Sequence, residues 1–209
     1  MRIVPLAVGL GTLAIVWLGP LSGGRHSFYA HMTVHMSVVA IAAPLLAISL
    51  AGGQWDPVRR KPSLFSPVVA SFLELAVVWI WHTPTFHQAA RGSAVALTAE
   101  QGTFLLSGFL LWIAVFGGDV QTRTARRATG IVALLLTVIH MTLLGALLAL
   151  SPRPLYADFH PNAQLTPLED QHLGGAIMLI VGGVSYLAGG LWLARGILRS
   201  QSQAEQSST

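Results

Sequence analysis

The chain has 209 residues, of which 53% are hydrophobic and only 10% charged, and it contains no cysteine. A soluble domain of this length keeps a far more charged surface, so the composition describes an integral membrane protein. Without cysteine there is no disulfide framework, no iron–sulfur cluster and no thiolate-based metal transfer within this polypeptide, and any metal held here must use nitrogen, thioether or oxygen.

Apolar runs long enough to cross ~30 Å of hydrocarbon recur along the chain. They predict six transmembrane helices, at Ile3 to Gly19, Tyr29 to Ala51, Leu64 to His82, Leu97 to Phe116, Ala128 to Leu150 and Leu173 to Ala194. The first span, preceded by Arg2, also resembles a secretory signal, but Leu21, Ser22, Gly23 and Gly24 offer no clear small-x-small cleavage site, so it reads as a retained helix. No intervening segment is long enough to fold alone, and the Ser/Gln composition of Ser200 to Thr209 reads as a disordered tail. The expected fold is an all-α membrane bundle, with residues 1–199 as one domain.

Lys and Arg resist translocation, so their distribution orients the bundle. An N-in, C-in arrangement places Arg2, Arg59, Arg60, Lys61, Arg123, Arg126, Arg127, Arg195 and Arg199 in the cytoplasm and leaves only Arg25, Arg91 and Arg153 outside. The formal charge of +4 therefore reports topology and contact with anionic lipid headgroups, and no nucleic-acid surface is visible. In this orientation all eight histidines, His26, His31, His35, His82, His87, His140, His160 and His172, fall at or outside the midplane.

The second span opens with His31-Met32-Thr33-Val34-His35-Met36, in which the histidines and the methionines each repeat at i, i+4. Each pair stacks on one helix face, and the two faces are adjacent. Imidazole with thioether is the ligand set expected for copper, the thioether favouring Cu(I), and two histidines one turn apart can share one ion. The plainer alternative is interfacial hydrogen bonding by the imidazoles and ordinary packing by the methionines. Unpaired imidazoles in lipid are costly, however, and should face the protein interior.

The third span ends in Trp79-Ile80-Trp81-His82-Thr83-Pro84, an interfacial aromatic belt followed by a helix stop, which sets His82 at the outer rim. His87 follows in a loop or short surface helix, where interface polarity alone accounts for it. His140-Met141 lies inside the apolar fifth span, close to the midplane. The sixth begins with Glu169-Asp170-Gln171-His172, a set that offers carboxylate and imidazole ligands but also suits a solvated helix N-terminus, where acids complement the macrodipole. Near the centre of the third span, Glu74 must be neutral or paired, either with His140 at similar depth or through a hydrogen bond to Ser, Thr or a backbone carbonyl. The Gly174-Gly175, Gly182-Gly183 and Gly189-Gly190 pairs read as close-packing sites.

Taken together, His31-Met32-x-x-His35-Met36, Pro44-Leu45-Leu46, Trp81-His82-x-Pro84, Trp112, His140, Ser151-Pro152-x-Pro154-Leu155-Tyr156 and Leu165-Thr166-Pro167-Leu168-Glu169-Asp170-Gln171-x-x-Gly174-Gly175-x-x-Met178 resemble the polytopic CtaG-type cytochrome c oxidase assembly factors. The likeness covers the second to sixth spans. It implies a helical protein of the bacterial inner (plasma) membrane that helps mature the copper-containing terminal oxidase without being a subunit of it or an enzyme. Implied partners are oxidase subunits or their copper chaperones, besides membrane lipid. Many members of the family carry Glu-His at the start of the fourth helix, where this chain has Glu100-Gln101.

The reading is a biogenesis factor with an outward-facing His/Met site that binds or passes copper. His31 and His35 are the expected paired ligands, Met32 or Met36 the soft ligand and His140 a deeper ligand or transfer station, while His82, His172 and Asp170 form the outer mouth. Three rivals compete with it. A haem-binding electron-transfer bundle would use His35 with His140 as axial ligands. A zinc hydrolase would use His31, His35, His172 and Asp170 with Glu74 or Glu169 as base, although no His-Glu-x-x-His is present. A metal-free scaffold would bind the oxidase alone.

Overall fold

A computed structural model describes residues 1–19, 27–119, 123–156 and 165–206. His26, His160, the segment Leu21 to Gly24 and the loop Ala157 to Gln164 lie outside the described residues. The chain is all-helical, with no strand among the described residues. In chain order the helices are α1 (Ile3–Leu18), α2 (Phe28–Ser37), α3 (Ala43–Leu50), α4 (Pro57–Arg60), α5 (Pro67–Trp81), α6 (Pro84–Gly92), α7 (Ala94–Phe116), α8 (Arg123–Ala149) and α9 (Pro167–Gln206). A π-helical turn, Val38–Ala42, joins α2 to α3 into one rod, and a short 3₁₀ turn, Pro62–Leu64, precedes α5.

By length and composition four helical rods suffice to cross a bilayer: Phe28–Leu50, Ala94–Phe116, Ala125–Ala149 and Pro167–Arg199. A fifth is added if α5 and α6, bent by 73° at the intervening break, count as one crossing. The remaining expected span forms α1, whose 16 residues reach about 24 Å at the α-helical rise, less than the ~30 Å hydrocarbon core. The predicted third span is also trimmed. Its helix begins at Pro67, where Ser66 Oγ accepts from Val69 N at 3.5 Å, and it ends at Trp81. Pro84 then opens α6, because proline is favoured in a first helical turn and cannot donate to a preceding one. At the C-terminal end α9 continues to Gln206, into the segment whose composition reads as a tail, and residues 207–209 lie outside the described set.

The rods alternate in direction, which gives the bundle two chemically different ends. At one end Arg2 N donates to Ser49 O at 2.9 Å, Arg126 Nη1 to Phe65 O at 2.9 Å and Ala114 O at 3.2 Å, and Arg127 Nη1 to Gly196 O at 2.7 Å. Asp56, fully buried, gathers the connecting loops there by accepting from Gly52 N, Val58 N and Gly118 N at 2.8 to 2.9 Å. The opposite end carries the described histidines other than His140, which lies deeper along α8.

Two local features set the packing of the rods. Pro44 has no N–H to give to Val39 O or Ala40 O, the acceptors one wide or one ordinary turn back. Trp112 Nε1 donates to Val39 O at 3.0 Å and Ser185 Oγ to Ala40 O at 2.7 Å, so side chains of α7 and α9 satisfy the carbonyls that the proline leaves open. Between α8 and α9 the backbones come together at glycine: a Cβ on Gly175 would lie 2.5 Å from Ala149 N and 2.8 Å from Gly145 O. This is the close packing that the paired glycines predict.

Candidate metal site

His31 and His35 lie one turn apart on α2, their rings nearly parallel with centroids 6.5 Å apart. Both face inward, His35 fully buried against the Phe104 ring at 4.1 Å. The bend between α5 and α6 delivers two more imidazoles to the same place. His82, just past the end of α5, lies 5.8 Å from His31 and 5.2 Å from His35 between ring centroids, and His87 on α6 lies 4.8 Å from His31. From α7, Glu100 completes the group, its Oε2 3.7 Å from His31 Nδ1. One potential ligand atom from each of His31, His87 and Glu100 fits within 4.8 Å of the others.

Buried polar atoms almost always have partners, yet this cluster is full of atoms without them. His31 Nε2, both nitrogens of His35, His82 Nε2, His87 Nδ1, Glu100 Oε1 and both nitrogens of His140 have no hydrogen-bond partner among the described residues. His82 shows what the pattern favours. Its Nδ1 lies 2.6 Å from Val78 O, and a carbonyl only accepts, so the proton sits on Nδ1 and Nε2 presents a lone pair. That second-atom anchoring is how ligating histidines are commonly oriented. His140 lies within electrostatic reach of His35 and makes a deeper extension of the group.

Tyr156 lies against the cluster from the segment after α8. Tyr156 stacks on Phe28 with ring centroids 4.4 Å apart, approaches His87 at 4.5 Å, and donates its hydroxyl to His82 O at 2.6 Å. Burial holds the Tyr156 hydroxyl above the usual phenol range, so it remains a donor. Gln171 fixes the loop bearing Tyr156, accepting from Leu155 N at 2.6 Å and donating to Leu148 O at 3.2 Å.

Not every expected ligand arrives here. Met32 and Met36 are buried but pack on α9, where a Cβ at Gly174 would lie 3.1 Å from Met32 Cγ and one at Gly182 would lie 3.3 Å from Met36 Cε. One residue of helix rotation, about 100°, separates them from the histidines. Asp170 caps α2 instead, accepting from Phe28 N at 2.8 Å, Tyr29 N at 2.8 Å and Ser27 Oγ at 3.0 Å. Glu169 forms a capping box with Thr166, both Thr166 N and Thr166 Oγ1 donating to Glu169 Oε2 at 2.8 Å. His172 Nε2 pairs with Ser151 O at 2.9 Å, which fastens the loop following α8.

Glu74 sits elsewhere again, fully buried, with Tyr186 of α9 donating to its Oε1 at 2.8 Å. It is thus held by a phenol from the last helix, and not by His140. Two residues of the cluster, His87 and Glu100, were not among the expected ligands. An acid near the start of the expected span Leu97 to Phe116 is the signal that marks Glu100, since a carboxylate at membrane depth is costly unless it serves or is paired. His87 carries no comparable signal, because only the 73° bend brings it over the second rod.

A helical membrane bundle with a buried cluster of imidazoles and one carboxylate at one end is the class of protein that these features define. The family model described as cytochrome c oxidase caa3 assembly factor (Caa3_CtaG) matches residues 1–200, and the chain belongs to that family. The match takes in α1 as well as the later helices. No curated protein and no solved structure matches the chain.

Proposed function

We propose that the chain carries copper during oxidase assembly, holding the ion among His31, His35, His82, His87 and Glu100 and using His140 as a deeper station. The observation that supports this reading is the concentration of buried ring nitrogens without partners on four separate helical segments. Solvent-excluded ring nitrogens of that kind are expensive as bare packing and suited to a metal ion. The methionines belong to the packing of α9 in this reading, and the working donors are nitrogen and carboxylate oxygen. The carboxylates named for the hydrolase alternative lie outside the cluster: Glu74 is hydrogen-bonded to Tyr186, and Glu169 caps its own helix.

The topology that goes with it has six crossings, α1 passing as a short helix and α5 with α6 as one bent crossing, with both termini in the cytoplasm. The cluster then opens to the extracytoplasmic side of a bacterial plasma membrane, where a copper chaperone delivers and an oxidase subunit receives. Support comes from the bias of Lys and Arg toward the opposite end. Reporters fused after Thr209 and inserted between Ala157 and Gln164 should be active in the cytoplasm and outside, respectively; the reverse pattern sinks the orientation.

Metal analysis and an optical spectrum of the purified protein test the site. Replacing His31 and His35 with Ala should lower copper per molecule and oxidase activity in cells while protein abundance stays near normal. Wild-type copper content in that variant leaves the metal-free scaffold standing, and a strong Soret band favours the haem reading.

A further inference from the structure

The cluster contains one resident cation of its own. Arg91, one turn after His87 on α6, donates from Nε to His87 Nε2 at 2.8 Å and from Nη2 to Ser27 O at 3.3 Å. A guanidinium has donors only and keeps its charge in proteins. His87 Nε2 must therefore be the acceptor in this bond, with its lone pair directed at Arg91. A neutral imidazole whose Nε2 accepts carries its proton on Nδ1, and Nδ1 is the atom buried without a partner. In this arrangement the ring nitrogen of His87 that has no partner carries an N–H, not a lone pair.

Resting on the proposed metal site, we propose that Arg91 is its gate: the guanidinium locks His87 in a form that cannot ligate, and a metal ion enters only as Arg91 lets go. Either ring atom leads to the same requirement. If Nε2 binds the ion, the ion takes the lone pair that Arg91 now holds. If Nδ1 binds it, the Nδ1 proton moves to Nε2, where a new N–H faces the Arg91 Nε–H and the two donors repel. No proton is gained or lost by the ring in either case; only the guanidinium is displaced. The ion's positive charge adds to the repulsion in a setting where little water screens it.

The same side chain couples loading to the mouth of the site. Ser27 precedes α2, and its hydroxyl donates to the Asp170 carboxylate at 3.0 Å, so Arg91 ties α6 to the junction of α2 and α9. Release of Arg91 frees His87 and loosens that junction together.

The test compares Cu(II) affinity and loading rate in purified full-length protein in detergent, wild type against Arg91→Met, which keeps the length of the side chain and removes its donors and charge. The gate predicts tenfold or more tighter binding and faster loading in Arg91→Met. Unchanged or weaker binding, with the variant as abundant and heat-stable as wild type, overturns it. The comparison is repeated in a His87→Gln background, where Arg91→Met should change affinity less than threefold and should not restore binding if it has been lost. A full gain without His87 means that Arg91 acts only as a bulk charge, and the gate is refuted. If neither wild type nor Arg91→Met binds Cu(II), the metal site itself fails and takes the gate with it, an outcome distinct from binding that ignores Arg91.

Discussion

Tyr186 reaches from α9 into the middle of the bundle and donates a hydrogen bond from its hydroxyl to Glu74 Oε1 on α5 at 2.8 Å, both side chains being fully buried. The bond joins two helices whose sequence positions are 112 residues apart. It supplies, from a phenol, the hydrogen-bond partner that a carboxyl in an apolar run requires. Because Tyr186 donates, the partner on α5 has only to accept.

Glutamine accepts through the same oxygen, so Glu74→Gln should fold and support oxidase maturation, whereas Glu74→Leu leaves the Tyr186 hydroxyl buried without a partner at a cost of ~1–3 kcal/mol. Thermal unfolding in detergent and oxidase activity in cells should separate the two variants. Equal loss of oxidase activity at normal protein level would instead make the carboxylate charge itself the working group.

For Asp170 the expectation concerns stability. It satisfies two backbone N–H groups at the start of α2 and the Ser27 hydroxyl, so Asp170→Ala should destabilise the protein by about 1–2 kcal/mol, as removal of an N-terminal cap does. Copper per folded molecule should stay close to wild type. A variant of normal stability that has lost its metal would restore Asp170 as a ligand.

Met32 and Met36 provide a sharper contrast with the imidazoles beside them. Met→Leu conserves volume and costs under about 1.5 kcal/mol in a core, so Met32→Leu with Met36→Leu should retain bound copper. His35→Ala should lose it. Loss of copper from the leucine variant, measured alongside an unchanged unfolding temperature, would return the thioethers to the site.

Glycines on one face of α9 give a test of packing with its own control. A methyl group at Gly175 runs into the backbone of α8, so Gly175→Ala should force the helices apart and cost roughly 1–3 kcal/mol. Gly183 has no atom within 4 Å of the position that a Cβ would take, so Gly183→Ala should be tolerated. Unfolding temperatures of the pair decide it; equal effects would mean that α8 and α9 do not meet as described.

What could be read from the sequence follows from what local pattern can encode. The rods Phe28–Leu50 and Ala94–Phe116 fall within three residues of the expected spans because long apolar runs define them without help from their neighbours. The 73° bend after Trp81 was only half visible: Thr83-Pro84 announces a stop, but not the direction in which α6 departs. His31 and His35 were recognisable from their spacing. The hydrogen bonds of Asp170 reach Ser27, Phe28 and Tyr29, more than 140 residues away, where no periodicity in α9 can point. The place of His87 is hidden likewise, since only the bend after Trp81 brings it beside His31.

The wide turn at Val38–Ala42 sets the phase of everything before it. A π-helical turn absorbs one residue more than an α-turn, so upstream residues are clocked by about 100° relative to a continuous helix fixed at α3. Counting back from Ala43 in such an unbroken helix, Met32 and Met36 would occupy the directions that His31 and His35 hold now. The single inserted residue thus exchanges thioether for imidazole at the pocket and sends sulfur to the glycines of α9. Pro44 creates the vacancy for it, and Trp112 and Ser185 hold it in register, so the chemistry offered at the histidine end of the bundle is chosen by a proline more than two turns away.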